Sequence, residues 1–244
     1  MKILDDLLST IKRGAVVKDI RQGPFQTAVL TDNGGLASTL RDRNNHEHHA
    51  PVKEAGTLLG KEALEIAQMA YSSSLLEASI GMATINSLLE VDEKQCVSLN
   101  AADLLAEKGK GKKIAIIGHF PFVPELRQVA KELWVIEQHP REGDFTEDAA
   151  EKLVPQADVV GITGTTFTNH TIEHVLSLCR REAYVIILGP TTPLSPTLFD
   201  YGIDAISGTK VVDPEAVLRY VSQGANFRQI KGIHLLTMRS ENGK

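Results

Sequence analysis

The residues best suited to chemistry in this chain stand just after short apolar runs. Gly118-His119-Phe120-Pro121 follows Ile114–Ile117, Glu137 closes Leu133–Ile136, Thr163-Gly164-Thr165-Thr166 with Asn169 follows Asp158–Ile162, and Gly189-Pro190-Thr191-Thr192 follows Tyr184–Leu188. An imidazole such as His119 can act as a general acid or base, or ligate a divalent metal. Hydroxyls and free backbone N–H groups at the Thr/Gly turns can hold a phosphate or carboxylate. The same turns are also good helix caps. Of the two, the turn before Asn169 is the better anion candidate. Glu137 lies 19 residues beyond Gly118. That is close to the position at which a dinucleotide-binding domain places an acid against a ribose diol. The alternative for Glu137 is an acid that simply ends a strand.

The first of these turns argues against tight NAD or FAD binding. A dinucleotide domain would place GxGxxG there, so that the backbone could approach a pyrophosphate. Here Pro121 and Pro124 stand where glycines would be. Nor does the chain contain a GxSxG, HExxH or Walker sequence.

The remaining histidines carry weaker signals. His170 and His174 have the i, i+4 spacing of a helical chelate, but no Glu adjoins them as in HExxH. His46, His48 and His49 fall in a polar stretch where a solvated loop is expected. In Glu77-Ala78-Ser79-Ile80-Gly81-Met82-Ala83-Thr84-Ile85-Asn86, small residues permit close approach of another element. Glu77 there either favours the positive end of a helix dipole or, with Asn86, projects into a site between two modules.

These side chains depend on the elements that carry them. From residue 112 the apolar runs begin roughly 20 to 26 residues apart, the length of a strand and its crossover helix. They are apolar on consecutive residues, so both faces of each strand should be covered, as in a doubly wound α/β parallel sheet. A weaker run at Ala205-Ile206 would extend it and Ile233–Met238 would add an edge strand. Helices are predicted over Val123–Lys131, Glu147–Leu153, Asn169–Cys179 and Asp213–Ser222, the last with Asp213 as N-cap and Pro214 at its first position.

Residues 1–108 follow another rhythm, that of an α+β module. A helix is predicted over Ile3–Lys12, strands over Val16–Ile20, Phe25–Leu30 and Leu36–Leu40 with a hairpin turn at Thr31–Gly35, then helices over Lys61–Tyr71 and Leu75–Leu89. The polar run Glu107–Gly111 marks the expected passage to the Rossmann-like domain, residues 109–244.

Composition excludes several function classes. Residues 1–111 carry 12 basic and 15 acidic side chains, and residues 112–244 carry 14 and 16, so neither half is a nucleic-acid-binding arm. The N-terminal stretch carries Asp5 and Asp6 among its apolar residues, which reads as an amphipathic helix and not a leader, and no run is long enough to span a membrane. Cys96 and Cys179 are too few for a disulfide framework, and a reducing cytoplasm is the expected compartment.

Taken together, Glu77–Asn86, Gly118-His119-Phe120-Pro121, Glu142-Gly143-Asp144 and Gly189–Leu194 resemble the family described as "putative heavy-metal chelation", a domain-of-unknown-function group. The resemblance spans nearly the whole chain. It implies an N-terminal domain similar to the enolase N-terminal fold, a Rossmann-like C-terminal domain and a pocket between them. By position it points to Glu77 and His119 as catalytic groups, with His119 also a metal ligand. It points to Asn86, Gly118, Phe120, Pro121, Glu137, Asp144, Thr163, Gly164, Thr165, Thr166, Asn169, Gly189, Pro190, Thr191 and Thr192 as ligand-binding.

Soft heavy metals prefer thiolates, and two Cys and four Met, none clustered, make a metal store a poor expectation. The leading expectation is an enzyme or binding protein for a small anionic or adenosine-containing ligand, serving chelation or chelator metabolism. The alternatives are a direct transition-metal binder and a non-catalytic ligand sensor. The candidate cofactors are a divalent transition metal and an S-adenosylmethionine-like nucleotide. The expected partners are a small-molecule ligand and a second copy in a homodimer, with no nucleic acid and no membrane.

Overall fold

The structure is a computed structural model, and it describes residues 1–12, 14–41 and 51–241. His46, His48 and His49 lie outside the described residues.

Ile3, Leu4 and Leu7 give the first helix, α1 (Lys2–Ser9), one buried face. It ends before the predicted Lys12 because the chain tightens: Thr10 and Ile11 donate to the carbonyls three residues back, and the Thr10 hydroxyl also donates to Leu7 O. The strand expected from Val16 begins later, since Val16 makes only an isolated bridge to Glu62. β1 (Asp19–Gln22), β2 (Gln26–Leu30) and β3 (Gly34–Ser38) form an antiparallel sheet, with β2 in the middle.

α2 (Ala63–Ala67) runs into a 3-10 turn, Gln68–Tyr71, and α3 (Leu75–Leu88) packs on the three-stranded sheet. The small residues of α3 permit this packing. A Cβ on Gly81 would stand 2.0 Å from Ala70 N, and one on Gly35 would stand 2.0 Å from Ala83 O.

Two elements follow that the sequence reading passed over. β4 (Cys96–Val97) joins the larger sheet, and α4 (Ala101–Gly109) is capped by Asn100, whose Oδ1 accepts from Ala102 N. Glu107–Gly109, read as part of a flexible run, are the last turn of α4. Its Leu104 and Leu105 are buried in one apolar cluster with Ile114 and Ile116.

Those isoleucines belong to β5 (Lys113–Ile117), the first parallel strand of the larger sheet. It is followed by α5 (Val123–Val129), β6 (Glu132–Glu137), β7 (Phe145–Thr146), α6 (Ala150–Leu153) and β8 (Val159–Thr163). Then come α7 (Thr165–Thr168), α8 (Ile172–Leu178), β9 (Tyr184–Leu188), β10 (Ala205–Val211), α9 (Pro214–Ser222) and β11 (Ile233–Arg239).

Across the sheet the order is β4-β11-β10-β9-β8-β5-β6-β7, and β5 to β10 are all parallel. Counted from β5, the parallel strands lie third, second, first, fourth, fifth, sixth. That is the doubly wound order, with its reversal between β5 and β8. The expected fold class is the observed one. Burial on both faces explains the consecutive apolar residues: Ile114, Ala115 and Ile116 are all fully buried.

Some details differ from expectation. β11 is antiparallel and lies one strand in from the edge, because β4 covers it. The helix expected from Asn169 begins only at Ile172, as α8, with the short α7 ending just before Asn169; between the two His170 takes a φ of 62° and Asn169 Oδ1 accepts from the N–H and hydroxyl of Thr171. α9 begins as predicted, with Asp213 Oδ1 accepting from Ala216 N at 3.0 Å. Among the described residues no helix is long and apolar enough to cross a membrane.

The N-terminal elements and the larger sheet's layers share a core in which Ile3, Leu4 and Leu7 lie in one cluster with Ile172, Val175 and Leu198. Polar contacts fix them together. Glu173 Oε1 accepts from Ile3 N at 2.8 Å, Tyr201 OH donates to Asp6 Oδ2 at 2.5 Å, and His170 Nε2 lies 2.7 Å from Ala70 O.

Candidate functional site

Strand register assembles the site. Ile117 pairs with Ile136 on one side and Ile162 on the other, so Gly118 falls beside both Glu137 and Thr163, and Gly118 N donates to Ile136 O. Thr163 pairs with Leu188, which brings Gly189 beside Gly164. Glu137, Gly118, Thr163 and Gly189 therefore form a row across the carboxyl ends of four neighbouring strands. The row straddles the point where the strand order reverses, which is where open α/β sheets bind ligands.

Gly118 is needed in this row. Its φ is 100°, and a Cβ there would stand 3.0 Å from Thr163 Cβ and Cγ2. Gly189, with a φ of 116°, turns the chain the same way at the end of β9.

His119 follows Gly118 and is held from a distance in sequence. Its Nδ1 lies 2.8 Å from Asp144 Oδ2, and the carboxylate side chain is only 1% exposed against 19% for the imidazole. Asp144 sits in the β6–β7 connection, where Oδ2 also accepts from Arg141 N at 3.1 Å. A carboxylate only accepts, so Nδ1 carries the hydrogen and a neutral His119 presents Nε2 as an acceptor. Phe120, next in line, stacks on Phe122 with ring centroids 5.1 Å apart, and Pro121 is exposed.

Glu137 accepts from Gln138 N at 2.9 Å and is half-buried. At the end of β8, the hydroxyls of Thr163 and Thr165 lie 3.0 Å apart, and the Thr166 hydroxyl donates to Thr163 O at 2.7 Å. Asn169 Oδ1 accepts from the N–H and hydroxyl of Thr171, the residue just before α8.

The Gly189 loop meets the N-terminal module. Asn86 Nδ2 donates to Leu36 O at 2.9 Å and to Thr191 O at 3.2 Å, while Ser38 N donates to Thr191 Oγ1 at 2.9 Å. Both bonds run through Nδ2, which fixes the amide's orientation. Asn86 Oδ1 and Thr192 Oγ1 are buried without a hydrogen-bond partner among the described residues. Asn86 and Thr191 thus register one module on the other, Thr192 is buried at the same seam, and the neighbouring Pro190 is half-buried.

Glu77 stands apart from this row. It is buried in the N-terminal module, and its oxygens accept from Lys53 N at 2.6 Å and the Ser72 hydroxyl at 2.5 Å. His170 and His174 do not form a chelate, since His170 binds Ala70 O and His174 pairs with Glu151 at 3.0 Å. Arg141 and Ser38, which support the site through their backbones, leave no sequence signal. Ser74 does leave one, since Ser74-x-x-Glu77 spells a capping box, whereas Ser72 does not.

The comparisons with known proteins agree on the kind of chain this is. Residues 4–89 and 100–238 match two family models, both described as "Putative heavy-metal chelation". An uncharacterised protein of Methanocaldococcus jannaschii is 29% identical over 220 residues, covering 86% of this chain and 83% of that protein. The crystal structure of a protein of unknown function from Desulfitobacterium hafniense superposes with a TM-score of 0.85 at 27% identity, covering 98% of each chain. A second, from Pyrococcus horikoshii, gives 0.83 at 21% identity, also over 98% of each, and shows the fold alone.

Proposed function

The chain belongs to the family described as "putative heavy-metal chelation", and on that premise we propose that it binds a small anionic or adenosine-containing molecule beside His119. The observation that carries this reading is the His119–Asp144 pair, one residue beyond Gly118, which the register sets between Glu137 and Thr163 at the reversal of the strand order. A nearly buried carboxylate that fixes one ring nitrogen leaves the other as a directed acceptor for a ligand hydroxyl or amine. Glu137 would accept from a ribose diol, and the Thr163–Thr165 turn would donate to an anionic group.

The residues present do not fit a heavy-metal ion. Among the described residues no three His, Cys, Asp or Glu side chains converge. Cys96 lies on β4 and Cys179 just beyond α8, so neither reinforces the other. Soft metals need such clustered donors. In this reading the ligand is an organic, oxygen-rich chelator or its precursor, with metal bound by that molecule and not by the chain.

A thermal-shift panel of nucleotides, S-adenosylmethionine, pterins and organic acids tests the proposal. Stabilisation by at least one member at millimolar concentration is expected, and loss of that stabilisation in Glu137→Ala would place the ribose at β6. No stabilisation by any member would overturn it.

A further inference from the structure

We infer that the N-terminal module holds a second small-ligand site, selective for a primary ammonium group, in the cavity walled by Glu77. It stands independently of the reading given to His119. The cavity has a volume of about 440 Å³ and opens between Lys53 and Glu54, α2 with its 3-10 turn, and the start of α3. That volume falls within the range of small-molecule sites.

Two neutral donors hold Glu77 on the cavity wall. It sits three residues after the N-cap Ser74, and in a capping box its side chain would return to Ser74 N–H. It does not. Ser74 N instead donates to Ser72 Oγ at 3.1 Å, and the Glu77 carboxylate turns to Lys53 N and the Ser72 hydroxyl on the cavity wall. Both of these donors are neutral. A carboxylate offers about four lone-pair sites, so two donors leave acceptor capacity over.

Charge balance favours a cationic guest. The wall carries Glu54, Glu65 and Glu77 against Lys53 and Lys61, one negative charge in excess. Lys61 is already committed to Glu54 at 2.5 Å and Glu65 at 3.0 Å. Among the described residues Glu77 forms no ion pair, and it is only 4% exposed. A buried carboxylate with no ion pair among the described residues gains from a cation that arrives with its own hydrogen-bond donors.

The rest of the wall selects an organic cation over a bare ion. Ile66 and Met69 supply apolar surface, and the Tyr71 ring is fixed by the hydrogen bond from its hydroxyl to Asp5. A short hydrocarbon carrying an ammonium group would satisfy carboxylate, apolar wall and aromatic ring together. A divalent metal would find no group of three ligands there.

The test is an amide NMR titration of the full chain with n-butylammonium chloride, with 1-butanol and sodium butyrate as matched controls. The expected result is saturable shifts at Lys53 and Ser72 for the ammonium alone, with affinity about ten-fold lower in Glu77→Gln. Glu65→Lys changes an exposed side chain at the rim and keeps the test open if Glu77→Gln does not fold; it should weaken binding several-fold. Absence of saturable shifts at tens of millimolar, equal response to 1-butanol, or unchanged affinity in both variants would overturn the inference.

Discussion

Asp144 Oδ2 lies 2.8 Å from His119 Nδ1, joining residues 25 apart in sequence across the ends of β5 and β6. The pair fixes which ring nitrogen carries the hydrogen. Imidazole ¹⁵N spectra of the neutral ring should show its hydrogen on Nδ1, and Asp144→Ala should remove that preference. An unchanged tautomer in the variant would mean that the carboxylate does not orient the ring.

Asn86→Ala should loosen the seam between the modules. It leaves Leu36 O and Thr191 O without their side-chain donor, at a cost of about 1–3 kcal/mol in denaturant unfolding. Exchange of the Ser38 amide, which donates to Thr191 Oγ1, should accelerate in the same variant. Wild-type exchange at Ser38 would show that Asn86 does not hold that loop.

Glycine substitutions should separate close packing from backbone conformation. A Cβ on Gly81 meets Ala70 backbone at 2.0 Å, so Gly81→Ala should cost more than about 3 kcal/mol or prevent folding. Gly56 has a φ of 94° with nothing within 4 Å, so Gly56→Ala pays only the conformational cost of about 1 kcal/mol. Thermal unfolding of the two variants compares them directly.

Tyr201 links stability to alkaline pH. Burial first, then its hydrogen bond to Asp6, raises its phenol above the ordinary value of 10.0. The folded state therefore holds this proton more tightly than the unfolded one. The contribution is fully present below pH 10 and is lost as pH climbs from there toward the folded-state value. Tyr201→Phe should lose about 1 kcal/mol at neutral pH and fall less steeply above pH 10. Parallel wild-type and variant curves of stability against pH would contradict this.

The parallel strands other than the exposed two-residue β7 were legible because burial on both faces leaves an unbroken apolar record, as at Ile114–Ile117 and Tyr184–Leu188. α9 was legible because Asp213 and Pro214 spell its start. β4 was not, since two residues carry no periodicity, and α4 was hidden because among the described residues only Leu104, Leu105 and Gly109 of it are buried. The break at His170 depends on a backbone conformation that sequence does not announce. At the site, strand ends named Gly118, His119, Glu137 and Thr163, while the pairing of His119 with Asp144 needed the β6–β7 connection in place. Glu77 was visible as an acid among apolar neighbours, but its Lys53 partner lies 24 residues away.

The central claim is that a small ligand seats on the row of strand ends beside His119. Its most direct test is an amide shift map recorded with whichever panel compound stabilises the protein most. Gly118, His119, Glu137 and Thr163 should shift together and saturate, with weaker binding in His119→Ala. Saturable shifts confined to other regions, or binding untouched by the loss of His119, would contradict the account.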